Sequence, residues 1–295
     1  MKNRRLKDLF GNYLFILPAL GMFLTFSFYP FLKLFQLSVY RWDGIASTTK
    51  FVGLSHFKDI IFHNPVWWQS VWNAFYITLL ALILQNALAL ILALIVDKEI
   101  KGGNIYRTIF FLPPVLSFIV VGLIWSWIYD GNYGLLNHFL KMIGAGNIQL
   151  AWLANPKTAL TSVAVIHMWK GFGWGFIILL AGLQNIPREL YEAARVDGAN
   201  AWEMFRRVTV PLMVPVFVLV SILTILGTMP IYDLIVSTTG GGPGYHTEVP
   251  VTRILASMLG SRRFGYACSM GLVIGVILLI ASLLQIKVGK RIRQE

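Results

Sequence analysis

Asn185-Ile-Pro-Arg-Glu-Leu-Tyr-Glu-Ala-Ala-Arg-Val-Asp-Gly-Ala-Asn-Ala-Trp-Glu-Met-Phe-Arg-Arg-Val-Thr-Val-Pro211 places a dense run of charge between two long apolar stretches. Pro187 suits the first position of a helix, where its missing N–H costs nothing. Arg188 and Glu192 stand at i,i+4, and Leu190 with Ala194 forms a narrow apolar stripe. Asp197-Gly198 predicts a break, because glycine accepts the left-handed conformation that closes helices. Asn200 followed by Glu203 has the spacing of a capping box, so a second helix begins there, and Pro211 is expected to stop it. The segment Ile186–Pro211 thus reads as two short helices joined by a glycine turn. A charged loop is by default a solvated connector. This one also carries the small pair Ala193-Ala194 and the aromatics Trp202 and Phe205, which a connector does not need.

The composition explains the flanking stretches. Of 295 residues 57% are hydrophobic and 13% charged, whereas a soluble domain carries about a quarter charged residues. The net charge of +12 sits mostly between apolar blocks, unlike the basic folded face of a nucleic-acid reader. Cys268 is the only cysteine, which excludes an internal disulfide and a thiolate metal cluster. A helix crossing the hydrocarbon layer needs about 20 mostly apolar residues. Six stretches qualify: Tyr13–Leu37, Val71–Val96, Tyr106–Tyr129, Ala159–Leu183, Leu212–Val236 and Tyr266–Ile286. The basic start Met1–Lys7 runs into the first, which is too long for a signal peptide and reads as a retained span. With six spans both termini share a side, and that side holds fifteen Lys/Arg, including Lys98, Lys101, Arg188 and Arg207, against eight on the other. The bias makes it cytoplasmic. Trp42, Trp67, Trp68, Trp72 and Trp152 fall on the opposite side, as an interfacial aromatic belt. The expectation is one all-α integral membrane domain over residues 1–295.

Glu192-Ala193-Ala194, three residues, Gly198, nine residues, Val208-Thr209-Val210-Pro211 resembles the EAA loop of permease subunits in binding-protein-dependent ABC importers, departing only in Val208 for Ile and Val210 for Leu. Phe51-Val-Gly-Leu54, Arg107 with Phe110-Phe-Leu-Pro113, Tyr133-Gly-Leu-Leu-Asn137 and Thr239-Gly-Gly-Gly-Pro243 look like its carbohydrate-uptake branch, close to MalF-like and glycerol-phosphate permeases. The resemblance implies a type I permease fold with a cytoplasmic coupling helix in the multi-pass cytoplasmic membrane of a prokaryote. It implies two ATPase subunits, a second MalG-like permease, an extracytoplasmic solute-binding protein and a sugar substrate. Glu192, Ala193, Ala194, Gly198 and Pro211 would dock the ATPase. ATP and magnesium would sit on that subunit, leaving this chain without a cofactor and without enzymatic chemistry of its own.

An ionisable residue deep in a span is a functional candidate. His167, Lys170 and Trp174 stand at i, i+3 and i+7 on one helical face, with Gly171 beside them. An aromatic plane flanked by hydrogen-bonding groups suits a sugar. The plainer alternatives are a snorkelling Lys170, or its pairing with Asp233, and a His167 bonded inside the bundle. Ser221, Thr224 and Thr228 repeat the spacing in the fifth span, where small and hydroxyl residues are common packing elements. By resemblance to the maltose permease, His167, Gly171, Trp174, Thr224 and Thr228 match sugar-contacting positions. Ile231 and Phe118 replace two others and put maltose itself in doubt. Gln85 and Asn86 are polar at mid-span and read as interhelical hydrogen-bond formers. Gly171-Phe-Gly-Trp-Gly175 reads as helix packing, and Gly240-Gly-Gly-Pro243 as a re-entrant loop, a docking loop or a flexible turn. The chain has no phosphate-binding Walker A loop, no compact histidine-based metal spacing, and no repeat between halves of the kind an ion-coupled transporter shows. A phosphorylated polyol remains the alternative cargo.

Overall fold

The computed structural model describes residues 15–98, 102–145 and 150–294. The basic start Met1–Lys7, Tyr13 and Lys101 lie outside the described residues. Five helices are long and apolar enough to cross a membrane: Phe15–Ser38, Pro65–Asp97, Ala159–Gln184, Ala201–Thr228 and Phe264–Lys287. A sixth span is a bent pair, Gly103–Val115 and Phe118–Ile128. The fold is therefore the expected six-span helical one.

The third span departs from the single rod expected over Tyr106–Tyr129, because its halves meet at 96°. Pro113 and Pro114 lie in its last helical turn and cannot donate to the carbonyls of Ile109 and Phe110. Leu116 and Ser117 are extended, at ψ 144° and 150°, and the Ser117 hydroxyl accepts from the Val120 N–H to start the second half. The fifth span departs further. Pro211 does not stop a helix. The helix that begins at Ala201 runs to Thr228, because the five-residue π turn Phe205–Thr209 just before Pro211 widens the coil where the proline ring would otherwise strike the preceding turn. Pro230 ends it instead, one residue beyond the Met229 cap. Asp233 consequently lies outside the span, exposed at the start of the short helix Asp233–Thr238. Further π turns occupy Leu24–Phe28, Ala81–Gln85 and Ala256–Gly260.

The described residues form two compact units. The larger runs from Pro65 to Arg253 and resumes at Val276. Its core joins the second, fourth and fifth spans through Ala89, Ala93, Phe176, Leu179, Leu183, Met213 and Val220. Glycines set how closely these helices approach. A Cβ on Gly173 would strike the Phe110 carbonyl and lie 2.6 Å from Pro114, and one on Gly171 would meet the Gln85 amide at 2.5 Å. The glycine cluster is thus the packing element its sequence suggested. Trp67 is fully buried in this unit instead of standing in an interfacial belt.

The smaller unit runs to Asn64 and includes Ile254–Gly275. After the first span the chain makes a two-residue ladder that the sequence did not announce, pairing Tyr40 with Phe51 and Arg41 with Lys50. The helix Ser55–Phe62 follows, with His56 Nε2 donating to the Tyr40 carbonyl at 3.3 Å. Ser269 donates to the Ser38 carbonyl at 2.8 Å.

Gly173→Ala forces a methyl against backbone and is expected to cost about 1–3 kcal/mol by overpacking. Gly227→Ala points into open space and is expected to be near neutral. Thermal unfolding of the two variants in detergent checks this; equal midpoints would refute the role given to Gly173.

Candidate functional site

Two regions of the larger unit carry the predicted residues. The first is the elbow between the fourth and fifth spans. Pro187 stands at the N-cap and not at the first helical position, so the helix Arg188–Val196 opens one residue later than expected. At its other end the Gly198 N–H donates to the Arg195 carbonyl at 3.0 Å and the Ala199 N–H to the Ala194 carbonyl at 2.9 Å. With Gly198 at φ +81°, this is a complete Schellman closure. The next helix opens two residues later on the anticipated capping box. Asn200 N–H donates to Glu203 at 2.9 Å, and Glu203 N–H to the Asn200 side chain at 3.0 Å. The elbow is tied to the fifth span by Tyr191 and Thr209, whose hydroxyls lie 2.9 Å apart. Its outward side is bare. Glu192, Ala193 and Gly198 are exposed, as are Val196 at 88% and Trp202 at 66%. No Cβ on Gly198 would meet any neighbour, so the turn has open space around it.

The second region surrounds the break in the third span. Phe118, the first residue of the outgoing half, is its centre. The His167 ring stacks on it at 5.5 Å between centroids and 14° between planes. The Lys170 ammonium stands 4.1 Å above the same ring and donates to the Pro114 carbonyl at 3.2 Å. Lys170 therefore neither snorkels nor pairs with Asp233. It satisfies a last-turn carbonyl that the bend strips of its helical partner, with a cation–π contact in support. His167 and Lys170 meet as the sequence spacing proposed, but Trp174 leaves them: it is 56% exposed and stands edge-on to Phe111 at 5.1 Å. Buried polar atoms here include His167 Nδ1 and Gln85 Oε1, neither of which has a hydrogen-bond partner among the described residues.

Thr224 and Thr228 are buried. Thr228 donates to the Thr224 carbonyl at 2.7 Å, and Thr224 to the Val220 carbonyl at 2.8 Å, with Asn86 at 3.2 Å. Asn86 is thus the interhelical partner its sequence position suggested. The role of Pro114 as an acceptor was missed, although Pro113-Pro114 followed by the cap residue Ser117 was a readable signal of a break.

The Thr239–Pro243 loop is tightly built. Thr239 and Thr247 hydroxyls lie 2.6 Å apart, and Thr247 donates to the Gly242 carbonyl at 2.6 Å. Asn73 from the second span donates to the Glu248 carbonyl at 2.8 Å. Burial raises the Glu248 carboxyl above its ordinary range, and Arg253, 3.8 Å away, pulls it back down. No group of three or more metal-ligating side chains occurs among the described residues.

Residues 85–294 match the family of binding-protein-dependent transport system inner membrane components. The chain is 34% identical to the probable ABC transporter permease protein YurN of Bacillus subtilis, covering 96% of this chain and 97% of that one. It is 30% identical to the trehalose/maltose transport system permease protein MalF of Thermococcus litoralis, covering 95% and 93%. Among solved structures, a chain of a bacterial ABC transporter involved in the import of the acidic polysaccharide alginate shares the fold, with a TM-score of 0.83 at 24% identity over 98% of each chain. The protein described here belongs to the family of binding-protein-dependent transport system inner membrane components.

Proposed function

We propose that this chain is the membrane-spanning permease subunit of an ATP-driven importer, and that it passes a sugar or oligosaccharide from an extracytoplasmic binding protein into the cytoplasm. The observation that carries the reading is the elbow over residues 188–203. Its backbone is closed on itself by two successive caps, yet it leaves Val196, Trp202 and Glu192 uncovered. Large apolar side chains on a rigid, charged element suit a surface that a partner subunit covers. We assign that partner as an ATPase, with Glu192 as its charged contact, Ala193 and Ala194 as the close-approach surface and Gly198 as the turn. ATP and magnesium belong to that subunit. Two such subunits and a second, MalG-like permease complete the assembly, and both termini face the cytoplasm.

The sugar reading is supported by the trehalose/maltose relative and by the chemistry at the third-span break. The orphan His167 Nδ1 and Gln85 Oε1 can exchange hydrogen bonds with hydroxyls, and the exposed Trp174 ring can stack on a sugar's C–H face. Gly171 is on the fourth span with His167 and Trp174, and Thr224 and Thr228 are on the fifth span, which shares a core with it. A phosphorylated polyol is less well served, because the Lys170 charge is already engaged by Pro114 and Phe118.

Reconstituted in liposomes with its partner subunits, the chain is expected to support uptake only when ATP and a loaded binding protein are both present. Uptake driven by an ion gradient alone would overturn the reading. Glu192→Lys is expected to reduce co-purification of the ATPase at least about tenfold. Gly198→Val costs about 1–2 kcal/mol of backbone strain and is expected to weaken the same association. Membrane insertion should be unchanged in both, and intact complexes would remove the docking role. Lys170→Met frees the Pro114 carbonyl. Amide exchange over Ser117–Val121 is expected to accelerate about tenfold or more, with slowed transport; unaltered exchange would show that Lys170 does not hold the bend.

A further inference from the structure

The smaller unit contains a charge cluster that the transport reading does not use. Three guanidinium groups, Arg41, Arg262 and Arg263, line a cavity of about 410 Å³ whose other walls include Trp42, His56 and Tyr266. That volume is within the ~300–1,000 Å³ common for small-molecule sites. Among the described residues, Asp43 is the only carboxylate lining it. Its Oδ1 is committed to the N–H groups of Ala46 at 2.8 Å and Ile45 at 3.0 Å, which hold the carboxyl below its ordinary range. Asp43 offsets one positive charge, and Asp59, which interacts with Tyr266 and His56 from outside the lining, offsets part of a second, so the lining keeps a smaller positive excess. His56 adds none at neutral pH, since burial lowers its affinity for a proton. Arg263 is held over the Tyr266 ring at 4.0 Å, whereas Arg41 and Arg262 are exposed, and Arg262 has a left-handed backbone at φ +50°, which a side chain other than glycine adopts at a cost. A cavity with excess guanidinium charge is a site for an anion, and the planar fork matches phosphate in particular.

The position of the cluster identifies the anion's source. Arg41 follows the end of the first span at Ser38 by three residues, and Arg262 and Arg263 directly precede the span that opens at Phe264. All three charges therefore sit at the level where helices leave the hydrocarbon layer, which is the level of phospholipid phosphates. Below it, every described residue of the first span from Phe15 to Leu32 is exposed, offering an apolar wall along which acyl chains can lie. We propose that this cavity binds the phosphate of an anionic glycerophospholipid, with Arg41 and Arg262 as the principal anion contacts and Arg263 as the preformed wall.

Native mass spectrometry of the detergent-solubilised complex containing the full chain, with phosphatidylglycerol or phosphatidylcholine of the same acyl length added, tests this. The wild type is expected to retain phosphatidylglycerol preferentially. Each of Arg41→Gln and Arg262→Gln is expected to lower that retention about tenfold. The pair Arg41→Lys with Arg262→Lys, which keeps the charge and loses the fork, should fall between and guards against a folding defect. Equal retention in the single glutamine variants would overturn the site. Displacement of the lipid by inorganic phosphate or glycerol phosphate at millimolar concentration would overturn the lipid as its source. A loss of binding-protein association in the glutamine variants, with lipid retention unchanged, would assign the arginines to a protein partner and refute the proposal.

Discussion

Inside the hydrocarbon layer a backbone carbonyl without a hydrogen bond costs several kcal/mol, and water is not there to supply one. Prolines create such carbonyls, and much of the larger unit is organised around how they are answered. At Pro113-Pro114 the third span turns through 96°, and the solution is local and specific. The Phe110 carbonyl abuts Gly173, where the absence of a side chain lets the fourth span close in. The Pro114 carbonyl receives the Lys170 ammonium. A buried cation in a membrane span is costly on its own. Here it compensates a cost that the bend would otherwise impose, and the bend in turn presents Phe118 to His167 and Lys170 together.

The elbow before the fifth span applies the same accounting in water. Schellman closure and capping box leave few backbone groups free over Ala194–Glu203, so the turn is defined by its own chain and not by neighbours. That independence allows its outward side to stay bare. An element that needs no support from the protein behind it can offer its side chains to another molecule. The Thr239–Pro243 loop is closed internally through Thr239 and Thr247, and Asn73 of the second span tethers the residues that follow it.

What the sequence disclosed follows from which interactions are local. Span number, the Gly198 turn and the Asn200–Glu203 box depend on residues within a few positions of each other, and each was readable. Asn86 was readable as an interhelical hydrogen-bond former, but its partner Thr224, 138 positions away, was not. Lys170 was legible as unusual but not as the partner of Pro114, because its acceptor is a main-chain atom that any residue carries. Pro211 misled for a related reason. Helix termination by proline presumes regular α geometry, and the π turn at Phe205–Thr209 removes that premise. Trp67 looked interfacial by position, yet tertiary packing buries it completely.

The π turns have an effect beyond accommodating rings. Each introduces one extra residue into a helix, and one residue corresponds to about 100° of rotation. They act as phase shifters, so side chains on either side of Phe205–Thr209 do not follow one uninterrupted angular series. The azimuth of Trp202 relative to Thr224 and Thr228 is set by that insertion as much as by the residues themselves. A helical wheel drawn through Ala201–Thr228 would place them out of register. The same holds through Ala81–Gln85, immediately before Asn86, so the polar residues of the second and fifth spans that meet at Asn86 and Thr224 each follow a departure from regular winding.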